Sequence, residues 1–161
     1  ESAFGSFQMA DGFFLNNELT DFSFLPVAGG KPVANRLEPG KRPMSAMSPT
    51  LVYGRDGRLI MALGSAGGPR IIMHVLKTLI GVIDWKKPVA EVIALPNIFL
   101  HDDTILLERG TSLAAMAPAL TRLGQTVVAA DLPSKVNAVE RDAQGWHGAA
   151  DPRSEGVALA E

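Results

Sequence analysis

Apolar residues recur at helical spacing between Arg70 and Asp84, and this is the clearest periodic pattern in the chain. One side of the predicted helix carries aliphatic side chains, at Ile72, Val75, Leu76, Leu79, Ile80 and Ile83. The other side carries His74, Lys77, Thr78 and Gly81. Apolar residues three and four positions apart are typical of an amphipathic helix, and we predict one over Arg70–Asp84.

Segments rich in β-forming residues predict strands on both sides of this helix. The strands are expected at Phe13–Leu15, Thr50–Tyr53, Arg58–Leu63, Thr104–Glu108, Gln125–Ala130, Lys135–Arg141 and Trp146–Ala150. Two shorter helices are expected at Val89–Leu95 and Pro118–Leu123. Asp56-Gly57 predicts a hairpin turn, and the Gly- and Pro-rich segment 26–49 is expected to be a functional loop. The mixture predicts an α+β fold with antiparallel strands.

Composition narrows the class of protein. The chain has 161 residues, 47% of them hydrophobic and 20% charged, which predicts one globular domain over residues 1–161. A net charge of −2 gives no basic excess for nucleic-acid binding. The chain has no cysteine and its three histidines lie apart, so we expect no metal and no other cofactor. The opening ESAFGSF has neither an initiator Met nor a signal-peptide pattern, and we expect an internal start.

The segment Gly64–Arg70 (GSAGGPR) places small residues between a predicted strand and the long helix. Glycine loses the most conformational entropy on folding, so the run requires a reason. Unpaired N–H groups at a helix N-terminus favour a bound anion. Three interpretations stay open: a nucleotide-phosphate loop, for which the Lys-Ser/Thr of a Walker motif is missing; an oxyanion hole; and a tight turn with close strand–helix packing.

Four motifs, in this order, resemble the small subunit of the gamma-glutamyltranspeptidase family over nearly the whole chain. They are NNELTDFS (16–23), PGKRPMSAMSPT (39–50), GSAGGPR (64–70) and ADPRSEG (150–156). The resemblance implies part of an αββα sandwich of the N-terminal-nucleophile hydrolases. It also implies a precursor that cuts itself into a large and a small subunit. The new N-terminal Thr is then the nucleophile and its own amino group the base, and we expect that Thr upstream of residue 1.

The resemblance implies roles for individual residues. Gly67 and Gly68 match the glycine pair of the oxyanion hole, in agreement with one interpretation of the glycine run. Asp21 matches the carboxylate that holds the α-ammonium group of the substrate, and Glu18 matches a second position with the same role. Glu1 stands where many relatives have Asn, and it would add negative charge near the ammonium group.

Ser45 matches one of two consecutive serines that bind the α-carboxylate of the substrate, and Ala46 stands at the second position. One hydroxyl donor is therefore lost. The motif at Asp151–Arg153 is expected to be a structural turn with a buried Arg pair. The implied partners are the large subunit of the same precursor and a small γ-glutamyl compound, with no nucleic acid and no membrane insertion. The compartment stays open: periplasmic or extracellular by resemblance, or cytoplasmic.

The implied activity is that of a γ-glutamyl hydrolase or transferase that acts on glutathione-type compounds through the upstream Thr. Two alternatives stay open. One is a non-catalytic relative that keeps the fold and ligand binding, for which Ala46 and Glu1 are the motivation. The other is an acylase for β-lactam side chains. Asp21 argues against the acylase, because an ammonium partner has no use in a substrate that lacks the ammonium group.

Overall fold

The chain is divided into two compact structural units, with the boundary after Ser45. The first unit ends at Ser45 and the second begins at Ala46. The computed structural model describes residues 7–159, without the side chains of Phe13 and Phe14. The single domain expected over residues 1–161 stays a prediction.

Short elements make up the first unit. It contains two antiparallel pairs of two-residue strands, β1 (Met9–Ala10) with β2 (Phe13–Phe14) and β3 (Val27–Ala28) with β4 (Lys31–Pro32). A 3₁₀ turn over Glu18–Asp21 lies between the two pairs in sequence. The strand predicted at Phe13–Leu15 is therefore present but shorter, and the loop predicted over 26–49 contains a hairpin that its Gly-Gly pair closes.

The second unit holds the longer elements. In chain order they are β5 (Thr50–Tyr53), β6 (Leu59–Gly64), α1 (Ile71–Ile83), α2 (Val89–Ala94), β7 (Ile98–His101), β8 (Thr104–Glu108), α3 (Ala117–Arg122), β9 (Thr126–Ala130), β10 (Asn137–Arg141) and β11 (Trp146–Ala150). Each strand and helix predicted in this part of the sequence is present, with bounds that shift by no more than two residues. The strand β7 was not predicted.

Two sheets organise these strands. The first is antiparallel throughout, in the order β11-β10-β6-β5. The second has the order β7-β8-β9, and there β8 and β9 run parallel. The prediction of antiparallel strands is wrong for this one pair. The chain between β8 and β9 includes α3, and a crossover of this length lets the next strand run in the same direction.

The core of the second unit lies between α1, α2 and one face of the four-stranded sheet. Its buried residues are Met61, Leu63, Ile71, Val75, Val89, Ile93, Val136, Ala138 and Ala149. Gly81 brings the two helices together, because a Cβ at this position would lie only 2.3 Å from Val92 Cγ1. The absence of a side chain thus fixes how closely α1 and α2 approach.

The buried face of α1 is not the aliphatic side that the amphipathic pattern indicates. The buried positions are Ile71, His74, Val75, Thr78 and Gly81, and these include most of the predicted polar side. On the predicted apolar side, Ile72 is 53% exposed and Leu76 is 44% exposed. The buried polar groups are satisfied locally: the Thr78 hydroxyl donates to the His74 carbonyl over 2.9 Å. Satisfied polar groups make this face compatible with burial.

The opposite face of the four-stranded sheet is also apolar. The register aligns Leu51 with Ala62, Ala62 with Val139, and Val139 with Gly148 across the four strands. Within the chain, Leu51 and Val139 remain largely accessible to solvent. At the β11 end of the row Ala158 lies close, since a Cβ at Gly148 would stand 2.9 Å from Ala158 Cβ. We call the accessible part of the row, at Leu51 and Val139, the open sheet face. No helix among residues 7–159 has both the length and the apolar character required to cross a membrane.

Candidate active site

A glycine turn connects β6 to α1, at residues 64–70. Gly67 has φ 136° and ψ 18°, and Gly68 has φ 60°. Residues with side chains rarely adopt these positive φ values, so the backbone here requires glycine. Position 67 is also crowded, since a Cβ there would lie 3.4 Å from His74 Cε1. At Gly68 a Cβ would meet no atom within 4 Å, so that side of the turn is open.

The amides of this turn are available as donors. Gly67 is the N-cap of a 3₁₀ turn over Gly68–Arg70 that continues into α1, and no side chain caps either segment. Among the described residues, no hydrogen bond uses the N–H of Gly67 or Gly68 as donor. Pro69, which lacks an N–H, follows at the start of the turn. The arrangement suits an anion, or an oxygen that becomes one, beside the helix N-terminus.

The carboxylates of Glu18 and Asp21 belong to the 3₁₀ turn of the first unit. The Glu18 amide donates to Asn16 Oδ1 over 2.9 Å, and the Asp21 carbonyl accepts a hydrogen bond from Asn35 Nδ2. Asp21 is exposed and Glu18 is half-buried. Among the described residues, neither carboxylate takes part in a hydrogen bond or ion pair. The backbone thus anchors the turn while both acidic groups stay free to bind a cation.

Ser45 and Ala46 lie at the boundary between the two units. Ser45 is exposed, and the Ala46 carbonyl accepts a hydrogen bond from the Ser48 hydroxyl over 3.1 Å. Upstream, Asn35 Oδ1 accepts from the Met44 amide, and the Lys41 ammonium group donates to Glu38 and to the Ala34 carbonyl. Lys41 is therefore an anchor of this loop. Glu1 lies outside the described residues.

A buried polar network stands behind α1. Arg153 donates to Glu108 Oε1 over 2.6 Å and to Asp151 Oδ1 over 3.1 Å, which confirms the expected Arg pairing in the C-terminal motif. Lys77 donates to the Leu95 carbonyl over 2.6 Å and to Asn97 Oδ1 over 2.8 Å. Asn97 then donates to Ser134, whose hydroxyl donates to Asp151. We call these residues the Arg153 network.

Burial and pairing shift the titration of this network in opposite directions. Burial lowers the pKa of Lys77 to about 8, and the nearby Arg153 adds to the effect. For Asp151, burial alone would raise the pKa, but hydrogen bonds from Ser134 and Arg153 outweigh it and hold the pKa below its usual value. Every buried polar side-chain atom among the described residues has a partner. The network is therefore well suited to a structural role.

The chain is similar to known proteins along its whole length. The family model described as gamma-glutamyltranspeptidase matches residues 1–161. The chain belongs to the gamma-glutamyltranspeptidase family. It is 35% identical over 158 residues to a glutathione hydrolase proenzyme of Pseudomonas aeruginosa, covering 92% of this chain and 28% of that protein. A proenzyme of the same name from Escherichia coli K12 is 36% identical, with 89% of this chain and 26% of that protein covered.

A solved member of the family has the same fold. The gamma-glutamyltranspeptidase from Pseudomonas nitroreducens, complexed with L-DON, superposes with a TM-score of 0.77 at 32% identity, covering 98% of this chain and 88% of that chain. The α+β fold is thus part of the αββα N-terminal-nucleophile hydrolase sandwich, as the resemblance implied. The chain spans about a quarter of the length of the two proenzymes.

Sequence reasoning missed two residues beside the glycine turn. In the sequence His74 is a lone histidine, and Ser65 is one small residue of the glycine run. In the structure His74 is buried, and its Nδ1 lies 3.2 Å from Ser65 Oγ. A polar residue in the first turns of a helix that follows a glycine run is the sequence signal that points to such a contact.

Proposed function

We propose that this chain is most of the small subunit of a γ-glutamyl hydrolase or transferase that acts on glutathione-type compounds. A Thr upstream of residue 1 would be the nucleophile, exposed by autoproteolysis of a precursor. Family membership over residues 1–161 supports the assignment. The observation that carries it is the pair of unengaged amides at Gly67 and Gly68, in a backbone conformation that requires glycine.

In this proposal each site residue has one role. The Gly67 and Gly68 amides stabilise the oxyanion that forms when the nucleophile attacks the γ-carbonyl carbon. Asp21, with Glu18 beside it, pairs with the α-ammonium group of the substrate, because an unpaired ammonium group is costly once desolvated. Ser45 donates to the α-carboxylate, and Ala46 leaves that carboxylate with one hydroxyl fewer. Glu1 adds negative charge on the ammonium side.

Substitution of Asp21 tests this assignment in the complete, processed protein. Asp21→Ala removes a charge-assisted bond and leaves an ammonium group unpaired, at a cost of about 2–5 kcal/mol. We expect kcat/KM for a γ-glutamyl anilide to fall at least about 30-fold. The matched glutaryl anilide, which has no ammonium group, is expected to lose far less.

Asp103→Ala is the control, since it removes an equal charge from an exposed turn. An equal loss on both anilides would mean that Asp21 serves the fold. A wild-type protein that binds γ-glutamyl compounds without turning them over would identify the chain as a non-catalytic relative. Preferential turnover of the glutaryl compound by the wild type would favour the acylase.

We also propose that the partner is the large subunit of the same precursor. Two surfaces support this: the exposed apolar side of α1, at Ile72 and Leu76, and the open sheet face at Leu51 and Val139. Both are apolar, whereas other residues of α1 and the opposite face of the four-stranded sheet form the core, and large apolar patches mark interaction sites. An obligate interface of this kind buries more than about 2,000 Å².

Size-exclusion chromatography tests the partnership. Expressed alone, the chain is expected to aggregate or fold poorly, whereas co-expression with the upstream part of the precursor is expected to give a single stable species. A stable, well-behaved monomer of the chain by itself would contradict the proposal.

A further inference from the structure

His74 occupies the space directly beneath the glycine turn. It is 2% exposed, its Nδ1 lies 3.2 Å from Ser65 Oγ, and its Cε1 lies 3.4 Å from where a Cβ of Gly67 would stand. The imidazole thus contacts Ser65 and lies next to the position that a side chain at residue 67 would occupy. The charged groups that act on it are Arg70 and Lys77, on the same helical segment, and Asp151 and Arg153 of the Arg153 network.

The hydrogen bonds at Ser65 determine which atom donates. The Ser65 hydroxyl donates to the Ala66 carbonyl over 3.0 Å. A hydroxyl has one hydrogen, and a carbonyl has none to give, so the contact between Ser65 and His74 requires Nδ1–H as the donor. Burial, above all, lowers the pKa of His74 to about 4, so the ring is neutral at pH 7. His74 is therefore the Nδ1-protonated tautomer.

The Ala66 carbonyl, which accepts the hydrogen bond from Ser65, belongs to the same peptide unit as the Gly67 N–H. The Ala66 C=O and the Gly67 N–H share one plane and point in opposite directions. A hydrogen bond that holds the carbonyl oxygen therefore also directs the N–H on the other side. It polarises the same peptide unit as well, which makes that N–H a stronger donor.

We propose that His74 and Ser65 form a relay that orients the Gly67 amide, with His74 as a positioning residue for the oxyanion hole. The order of donation is His74 Nδ1 to Ser65 Oγ, and Ser65 Oγ to the Ala66 carbonyl. This inference rests on the proposed function, because the Gly67 amide matters only where it meets a developing oxyanion. Neither side chain contacts the substrate in this proposal.

Kinetics of the complete, processed protein test the relay. His74→Leu removes the donor and keeps the volume, and Ser65→Ala removes the middle of the relay. Each is expected to lower kcat about 10-fold with KM within twofold, because an oxyanion forms only in the transition state. The double variant is expected to be no slower than the slower single variant, because either substitution alone already interrupts the same chain of hydrogen bonds. His74→Asn, which can place an N–H near the Nδ1 position, is expected to restore kcat to within threefold of wild type.

His101→Leu is the control, because it changes an exposed histidine at the end of β7. Multiplicative losses in the double variant, unchanged kcat in both single variants, or an Asn variant as slow as the Leu variant would each overturn the relay.

A second measurement does not depend on turnover. The ¹⁵N chemical shifts of the His74 imidazole are expected to report a proton on Nδ1, and to change in Ser65→Ala. A proton on Nε2, or shifts that do not respond to Ser65→Ala, would overturn the relay. Failure of the proposed function looks different: the wild type would not turn over γ-glutamyl compounds, while the imidazole signals would still show the Nδ1 tautomer.

Discussion

The glycine turn and the Glu18–Asp21 turn differ in what holds them in place. The glycine turn follows a strand of the four-stranded sheet and enters the 13-residue helix α1, whose buried His74 lies beneath it. The Glu18–Asp21 turn leads to Phe22, the one buried hydrophobic side chain of the described part of the first unit. Its other anchors are hydrogen bonds between backbone and side chain: the Glu18 amide donates to Asn16 Oδ1, and Asn35 Nδ2 donates to the Asp21 carbonyl.

This difference follows the proposed roles. An amide that stabilises a developing charge must be held within a fraction of an ångström, and packing against a core provides that accuracy. A carboxylate that binds a cation must instead remain accessible until the ligand arrives. In this proposal the chain separates donors fixed by a core from recognition groups held at the surface.

The largest expected effect is on the free energy of unfolding, when an ion pair of the second unit is removed and compared with one of the first unit. Arg153 pairs with Glu108 and Asp151, whose side chains are 13% and 0% exposed, whereas Arg36 in the first unit pairs with Glu38, which is 43% exposed. Arg153→Ala leaves buried carboxylates unpaired and is expected to lower the free energy of unfolding by about 3–5 kcal/mol. Arg36→Ala is expected to cost less than about 1 kcal/mol.

Denaturant unfolding of the processed two-chain protein measures both changes. Arg153→Lys is a further comparison, because a lysine cannot reproduce the forked contacts to Glu108 and Asp151. If Arg36→Ala were as destabilising as Arg153→Ala, the two units would not differ in how they are anchored.

The next largest expected effect is on kcat, and it distinguishes two glycines that both have a positive φ. Gly68 and Gly57 have φ 60° and 76°, and at each a Cβ would meet no atom within 4 Å. Alanine should therefore strain both positions by about 1–2 kcal/mol. Only Gly68→Ala shifts a proposed oxyanion donor, and we expect it to lower kcat at least about 100-fold, with Gly57→Ala within threefold of wild type. Steady-state kinetics alongside thermal unfolding separates chemistry from strain.

The smallest expected effect is on KM, through the proposed recognition of the substrate carboxylate. Ala46→Ser restores a hydroxyl beside Ser45, and one further hydrogen bond to the carboxylate is worth about 0.5–1.5 kcal/mol. We expect KM for a γ-glutamyl anilide to fall about two- to tenfold while kcat stays unchanged. Ala119→Ser, on the exposed surface of α3, is the control. A lower kcat in Ala46→Ser with no change in KM would mean that position 46 does not contact the carboxylate.

Local signals in the sequence predicted the bounds of α1 and the glycine turn. The turn was predictable because positive φ values at Gly67 and Gly68 are a local demand that only glycine meets easily. The buried face of α1 could not be predicted, because burial of a polar side chain depends on partners that only the fold brings close. Ser65 Oγ lies 3.2 Å from the buried His74, and Asn97 accepts from the half-buried Lys77. The strand β7 escapes sequence-based prediction because it has only four residues, which are too few for a clear alternating pattern.

The parallel pair β8–β9 has a consequence for the order in which the chain folds. The hairpins β5–β6 and β7–β8 form when loops of a few residues close. Strand β9 can pair with β8 only after the longer segment that contains α3 has brought the chain back to the end of the sheet where β8 begins. Short loops close faster than long ones, so β9 is expected to be the last strand of its sheet to dock. Until it docks, the backbone groups of β8 on that side are an open edge that another chain could pair with.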